Sequence, residues 1–256
     1  MTPCVSFPAH ADRYRGRVVI RLPTIARGED GATLRIVSLV PSVTETLSTW
    51  NREPIACTRY CERPDLPNIG GTKNPDIGEI INLHPDLVIV DAEENRREDY
   101  DALLANELEV HVLHIQALAD VNPSMSTLAD RIGAHWTMLE LSIPRPRRRR
   151  ALVPIWRRPW MALGTPTYGA SLLEHLGVMT IFGMDGRYPE FSLQSASELG
   201  PDIVLAPSEP YPFTRRHLPE LESVAPTVLI DGKDLFWWGG RTASALKRLA
   251  AQLERL

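Results

Sequence analysis

Two carboxylates invite the first question. Glu93 and Glu209 each follow an apolar run that reads as a buried strand, and they lie 209 − 93 = 116 residues apart. The same offset relates Leu83-His-Pro-Asp-Leu-Val-Ile-Val90 to Leu199-Gly-Pro-Asp-Ile-Val-Leu-Ala206. A carboxylate just past the carboxyl end of a strand sits where open α/β sheets bind ligands. Such a pair can hold a metal, perform acid/base chemistry, or accept hydrogen bonds from amide groups of a ligand. Glu94 and Glu98, beside Arg96 and Arg97, read more simply as acids favoured at a helix N-terminus.

Other residues able to contact a ligand fall in the loops between strands. Thr58-Arg-Tyr-Cys61 holds Tyr60, and Gly70-Gly-Thr-Lys-Asn-Pro75 holds Lys73 and Asn74 behind two glycines. That segment lacks the spacing of a phosphate-binding loop and reads equally as a turn with a solvated lysine. Four of the six tryptophans lie in Trp156-Arg-Arg-Pro-Trp160 and Phe236-Trp-Trp-Gly-Gly-Arg241, and Glu209-Pro-Tyr-Pro-Phe213 adds Tyr211. Rings on proline-stiffened loops lose little entropy when they contact a planar or apolar ligand. Trp237 and Trp238 read equally as caps over the core. His111 and His114 lie three apart on a strand and so point to opposite faces. Cys57 and Cys61 stand C-x3-C without a second pair, which reads as buried thiols and not as a zinc site.

The elements that position these residues follow from periodicity. Leu34–Val40 reads as a strand and Pro41–Glu45 opens a helix, with Ser42 and Glu45 as a capping box. Pro54–Thr58 is a second strand, Asp76–Leu83 a helix, Arg96–Leu108 a helix and Val110–Ile115 a strand. From Pro123 to Leu141 apolar positions step by three or four, which predicts one helix of about 19 residues. Beyond it come strand 151–155, helix 168–176, strand 178–182, helix 193–199, strands 203–206 and 227–230, and a packing helix 242–256. This is an α/β pattern: two parallel-sheet lobes joined by one long backbone helix, with a ligand cleft between them. The expected division is a loose leader over 1–33, an N-terminal lobe over 34–120, a bridging helix over 121–143 and a C-terminal lobe over 144–256.

Composition removes several functions. With 28 Lys+Arg against 32 Asp+Glu the formal charge is −4, so no overall basic field attracts nucleic acid. The run Pro144–Arg150 reads as a solvated turn. Residues 1–31 hold no apolar run of signal-peptide length, because Val18-Val-Ile20 is broken by Arg21, and no stretch approaches the ~20 apolar residues that cross a bilayer. The chain as given therefore reads as a cytoplasmic monomer, or as extracytoplasmic if its start lies elsewhere or a partner exports it.

At these loops the sequence resembles the cobalamin- and siderophore-type substrate-binding proteins of ABC importers, in the branch called helical backbone metal receptors. The matching residues are Ile36-Val-Ser-Leu-Val-Pro-Ser42 with Thr44-Glu45, Gly70–Pro75, Pro85–Val90, Glu93–Asp99, Pro159-Trp-Met161 with Thr167-Tyr168, Arg187-Tyr-Pro-Glu190 and Glu209–Phe213. They run in family order from Leu34 onwards.

The resemblance implies binding without catalysis, of a corrinoid first, otherwise a ferric siderophore or haem, with no intrinsic cofactor and no protein ligand to the metal. By position it assigns Ser42, Tyr60, Lys73, Asn74, Glu93, Asn95, Trp160, Tyr168, Glu209, Tyr211 and Trp238 to the ligand. It also implies an ABC permease partner met by an acidic residue on each lobe: Glu79 fills one such place, and the other region has Gln194. A second function class stays open, a cytoplasmic metallochaperone or chelatase-like enzyme using Glu93 and Glu209 on a bound metal.

Overall fold

The structure, a computed structural model, describes residues 34–141, 149–183 and 185–255. The leader 1–33 with Cys4, and residues 144–148 of the arginine run, lie outside them. The chain clusters into two compact units, one running to His114 and including Thr127–His135, the other made of Ile115–Ser126 and Trp136–Leu256.

The first unit contains β1 (Ile36–Ser38), α1 (Pro41–Thr49), β2 (Ala56–Cys57), a small hairpin of β3 (Gly70–Gly71) and β4 (Asn74–Pro75), α2 (Ile77–Asn82), β5 (Leu87–Asp91), α3 (Arg97–Ala105) and β6 (Val110–Leu113). Its sheet runs β2-β1-β5-β6 with every pair parallel. Parallel strands need both faces covered, and all five residues of β5 are buried. Val37, Val88, Val90, Ile80 and Leu103 form the core beneath α2 and α3.

Next along the chain comes α4 (Val121–Ile132). The second unit adds β7 (Arg149–Leu152), β8 (Pro154–Trp156), β9 (Trp160–Ala162), α5 (Tyr168–His175), β10 (Val178–Thr180), β11 (Glu190–Phe191), α6 (Leu193–Glu198), β12 (Ile203–Pro207), α7 (Leu218–Leu221), β13 (Thr227–Ile230), α8 (Gly232–Phe236) and α9 (Thr242–Glu254). Its main sheet, β10-β7-β12-β13, is again all parallel. A second, antiparallel sheet β11-β9-β8 stands beside it.

The offset of 116 holds element by element: α2 maps onto α6, β5 onto β12, and the positive φ of His84 (43°) onto that of Gly200 (58°). The proline-aspartate of each copy has a shared purpose. Asp86 accepts the backbone N–H of Arg35 at 2.7 Å, and the Arg35 guanidinium donates to the carbonyls of Leu83 (2.6 Å) and His84 (3.2 Å) at the end of α2. In the second unit Asp202 accepts from Arg150 N–H at 2.7 Å, and the Arg150 guanidinium donates to Leu199 (2.7 Å) and Gly200 (3.2 Å). Each arginine thus satisfies carbonyls that a helix end leaves free and ties them to the first strand of its sheet. Arg150 was expected in a solvated turn; it lies in β7 because this latch holds it. Arg35→Ala and Arg150→Ala should each cost about 1 kcal/mol. Urea midpoints that do not move in either variant would show that the latch contributes nothing.

Two helix expectations are corrected. The N-cap of α1 is Val40, with no side-chain cap, since Pro41 takes the first helical position and moves Ser42 inside the helix, away from a capping box. The pattern over Pro123–Leu141 is not one helix, because α4 ends at Ile132 and Gly133 follows with φ 63°. The extended residues beyond it stay close to α4 because Asn122 accepts from the Trp136 indole (3.0 Å) and Leu139 N–H (2.7 Å) and donates to Leu139 C=O (3.1 Å). Apolar spacing therefore continues where the helix does not.

Candidate functional site

The carboxyl ends of the parallel strands carry the candidate residues in each unit. In the first, β5 closes with Asp91, and the chain turns through Glu93, Glu94 and Asn95. One Asp91 carboxylate oxygen accepts the backbone N–H groups of Glu93 (2.9 Å) and Glu94 (3.1 Å), while the other is buried without a partner. Asn95 is buried, accepts from Asp91 N–H (2.8 Å) and donates to Thr72 C=O (2.9 Å). Lys73 donates to the carbonyl of Glu93 at 2.6 Å. Asn95 and Lys73 therefore hold the Glu93 loop from two directions.

Burial dominates the titration of this loop. Desolvation pushes the Asp91 carboxyl up to about 7, with the two N–H groups and Lys73 opposing it. Lys73 is lowered, first by desolvation, against the pull of Glu94, Asp91 and Glu93. The residue as a whole is exposed, so that desolvation belongs to the ammonium end beside the loop and not to the stem. Asp91 is not among the residues singled out above by type and spacing. Its signal was present: an aspartate closing a strand, two residues before the next acid, is placed to bond its own downstream backbone.

The glycine pair has a steric role. Gly70 has φ 94°, and a Cβ on Gly71 would lie 2.6 Å from Asn74 Oδ1 and 2.7 Å from Arg59 Nη2. Without it, Arg59 lies across the hairpin and donates to Asn74 Oδ1 at 3.2 Å. Arg59 also sits 5.3 Å from the ring of Tyr60, which is 53% exposed. Ser42 is buried in α1 and its hydroxyl has no partner.

In the second unit Glu209 stands two residues beyond β12, as Glu93 stands two beyond β5. Gly232 positions it: a Cβ there would fall 2.5 Å from both Cγ and N of Glu209, and Gly232 N–H donates to Ser208 Oγ at 2.9 Å. Tyr211 packs edge-on to Trp156 at 5.7 Å and tilts against Phe213 at 4.8 Å. Trp160 stacks on Phe213 with an interplanar angle of 3° and meets Phe191 at 5.8 Å. Trp160 belongs to β9, where a loop was expected. Arg157, in the β8–β9 turn, pairs with Glu220 at 2.9 Å and lies 5.9 Å from the Trp160 ring.

Two assigned side chains turn inward. Tyr168 is 6% exposed, and its hydroxyl meets Thr242 Oγ1 at 3.2 Å; burial raises its pKa, so the phenol stays neutral. Trp238 is 4% exposed and belongs to the core, whereas half-buried Trp237 lies 5.0 Å from Lys233 and 5.4 Å from Arg241. Trp237 is thus the member of the pair with ring surface left to offer. Glu79 is exposed on α2, and Gln194 is exposed on α6 and bonded to Glu198 at 3.0 Å.

No group of three or more His, Cys, Asp or Glu among the described residues is placed to hold a metal ion. No described helix is long and apolar enough to cross a membrane.

No family model and no curated protein sequence matches the chain. Solved structures do. The periplasmic vitamin B12 binding protein BtuF of Vibrio cholerae superimposes with TM-score 0.69 at 16% identity, over 86% of this chain and 96% of its own. The periplasmic heme-binding protein RhuT of Roseiflexus sp. RS-1 gives 0.68 at 18%, over 86% and 97%. A periplasmic heme binding protein of Pseudomonas aeruginosa gives 0.70 at 16%, over 85% and 91%. The expectation of a cytoplasmic protein is corrected by these neighbours, which are described as periplasmic. The fold of this chain is that of the periplasmic vitamin B12- and heme-binding proteins, in agreement with the resemblance carried by its loop motifs.

Proposed function

We propose that this protein binds a metal chelate without transforming it, a corrinoid in the first place and haem or a ferric siderophore otherwise. The observation that carries the proposal is the fold match to vitamin B12- and heme-binding proteins across 86% of the chain. The loop chemistry ranks the ligands. Glu93 and Glu209, at equivalent points of their units, offer acceptors to the amide side groups of a corrin and would repel the carboxylates of a haem. Tyr60, Trp160, Tyr211 and Trp237 supply ring faces, and Ser42 and Asn74 supply hydrogen-bonding groups. Lys73 and Asn95 set the position of Glu93, while Tyr168 and Trp238 support the loops from within. The lobes are assigned to 34–120 and 144–256, about a connector that begins with α4. Delivery to an ABC permease, with Glu79 as a docking residue, completes the reading.

Tryptophan fluorescence titrated with cobalamin, cobinamide, haem and ferric siderophores tests it. Quenching by the two corrinoids is expected, with affinity about tenfold weaker in Trp160→Ala. A silent protein across all four ligands would end the proposal. A Soret shift with haem that is lost in Tyr60→Phe or Tyr211→Phe would put haem first.

A further inference from the structure

The turn that follows Phe213 asks more of one imidazole than it can give. Arg215–His217 form a 3₁₀ turn, and the backbone N–H of Thr214 donates to His217 Nδ1 at 3.0 Å, with the Thr214 hydroxyl 3.4 Å from the same atom. Arg216 Nε–H is aimed at the other ring nitrogen, Nε2, from 3.2 Å. A backbone amide and a guanidinium can only donate, so both ring nitrogens are required to accept. A neutral imidazole accepts at one nitrogen and carries its proton on the other, and a charged one accepts at neither. His217 is 4% exposed, and burial first, then the charges of Arg216 and Arg157, hold its pKa below the ordinary value, so the ring is neutral.

The tautomer follows from the fixed partner. Thr214 N–H belongs to the backbone of the turn, so the lone pair sits on Nδ1 and the proton on Nε2. Turning the ring over would set a carbon against that amide. Arg216 Nε–H and His217 Nε2–H are therefore two donors facing each other across 3.2 Å, and each lacks an acceptor there. We propose that Arg216 and His217 form an oxyanion site on the second unit, in which one phosphate-ester or carboxylate group accepts from Arg216 Nε–H and His217 Nε2–H together.

Charge and access favour an anion over a neutral acceptor. Arg215 and Arg216 are exposed, and neither pairs with a carboxylate among the described residues, whereas Arg157 is taken by Glu220 at 2.9 Å. The Arg216 fork offers a second N–H beside Nε, which suits the paired oxygens of a carboxylate or phosphate. The His217 ring stands edge-on to Tyr211 at 5.5 Å and to Phe213 at 5.6 Å, so the site borders the aromatic loop of this unit. The anion has two sources, a free oxyanion or the charged group of a bound chelate. The second rests on the proposed function; the site itself does not.

Nitrogen-15 NMR of the full chain tests the site, with inorganic phosphate as the probe and sodium chloride of equal ionic strength as the control. At neutral pH the His217 proton is expected on Nε2. Phosphate should move the His217 Nε2–H and Arg216 Nε–H signals together and saturably, which chloride should not reproduce. Arg216→Gln, at an exposed position, should weaken phosphate binding at least about tenfold. A proton on Nδ1, no saturable movement, movement matched by chloride, or undiminished affinity in Arg216→Gln would each overturn the proposal. Fluorescence titration separates the sources. If the anion is the ligand's own, cobalamin, which carries a phosphodiester, binds about tenfold more tightly than cobinamide, which lacks one, and Arg216→Gln removes that ratio without changing cobinamide. Equal binding of the two corrinoids, with phosphate binding retained, assigns the site to a free anion. Phosphate binding in a protein that takes up neither corrinoid sinks the proposed function and leaves the oxyanion site standing.

Discussion

Asp91→Asn and His111→Gln should tilt the pH dependence of stability in opposite directions. The Asp91 carboxyl moves from 3.8 to about 7 on folding, because burial disfavours its charge. The folded chain therefore binds the extra proton, and Asp91 contributes stability that is complete below its unfolded value and is lost as pH rises through 7. The displacement amounts to on the order of 4 kcal/mol. His111 moves from 6.5 to about 4, through burial first and the charge of Arg131 second. Its contribution is present above 6.5 and is lost as pH falls through 4, on the order of 3 kcal/mol. Between pH 4 and 6.5 the two slopes oppose each other, so the wild type should vary little on their account. Asp91→Asn keeps an oxygen for the Glu93 and Glu94 N–H groups and should lose stability on acidification, while His111→Gln should lose it on alkalinisation. Urea midpoints across the window decide the matter. If both variants follow the wild-type profile, burial does not control these groups.

The second large effect is steric. Gly232→Ala places a methyl 2.5 Å from the backbone nitrogen and Cγ of Glu209 and 2.8 Å from its carbonyl oxygen. Neither backbone can yield alone, since Gly232 N–H is bonded to Ser208 and Asp231 caps Lys233 N–H at 2.9 Å to start α8. The expected cost is about 2–3 kcal/mol, with corrinoid affinity reduced at least about tenfold as the Glu209 loop moves. Gly78→Ala is the matched control. Its nearest neighbour would be Asp76 Oδ1 at 3.5 Å, an ordinary contact within α2, so it should be neutral or stabilising by up to about 1 kcal/mol. Gly232→Ala melting with the wild type would mean that the two loops are not in contact.

What could be read in the sequence divides along physical lines. β13 falls over Thr227–Ile230 as expected, and β5 and β12 lie where the repeated motif placed them, because buried parallel strands write themselves as continuous apolar runs. The antiparallel sheet β11-β9-β8 was missed. Its strands are two or three residues long, shorter than any period can mark, and its turn contains Arg158 and Pro159, which suggested a loop. Side-chain direction was less legible still. Glu93, Glu209, Tyr60 and Tyr211 stand in the expected loops, but adjacent Trp237 and Trp238 differ in burial for reasons set by the packing of α8 and α9, which no spacing records. Asn95, read as a ligand group, spends its carboxamide on Asp91 and Thr72. Loops reveal their residue types in sequence; which of those residues hold the loop itself depends on partners far along the chain.

The arginine latches have a consequence for redesign. Both Arg35 with Asp86 and Arg150 with Asp202 fasten the amino ends of their strands, the edge opposite the candidate loops. Because the fastening never passes through the rim, loop segments such as 58–61 or 209–213 can be exchanged between homologous scaffolds without unpicking either joint. On the proposed function, a change of ligand is then a problem of grafting onto a foundation that is already set.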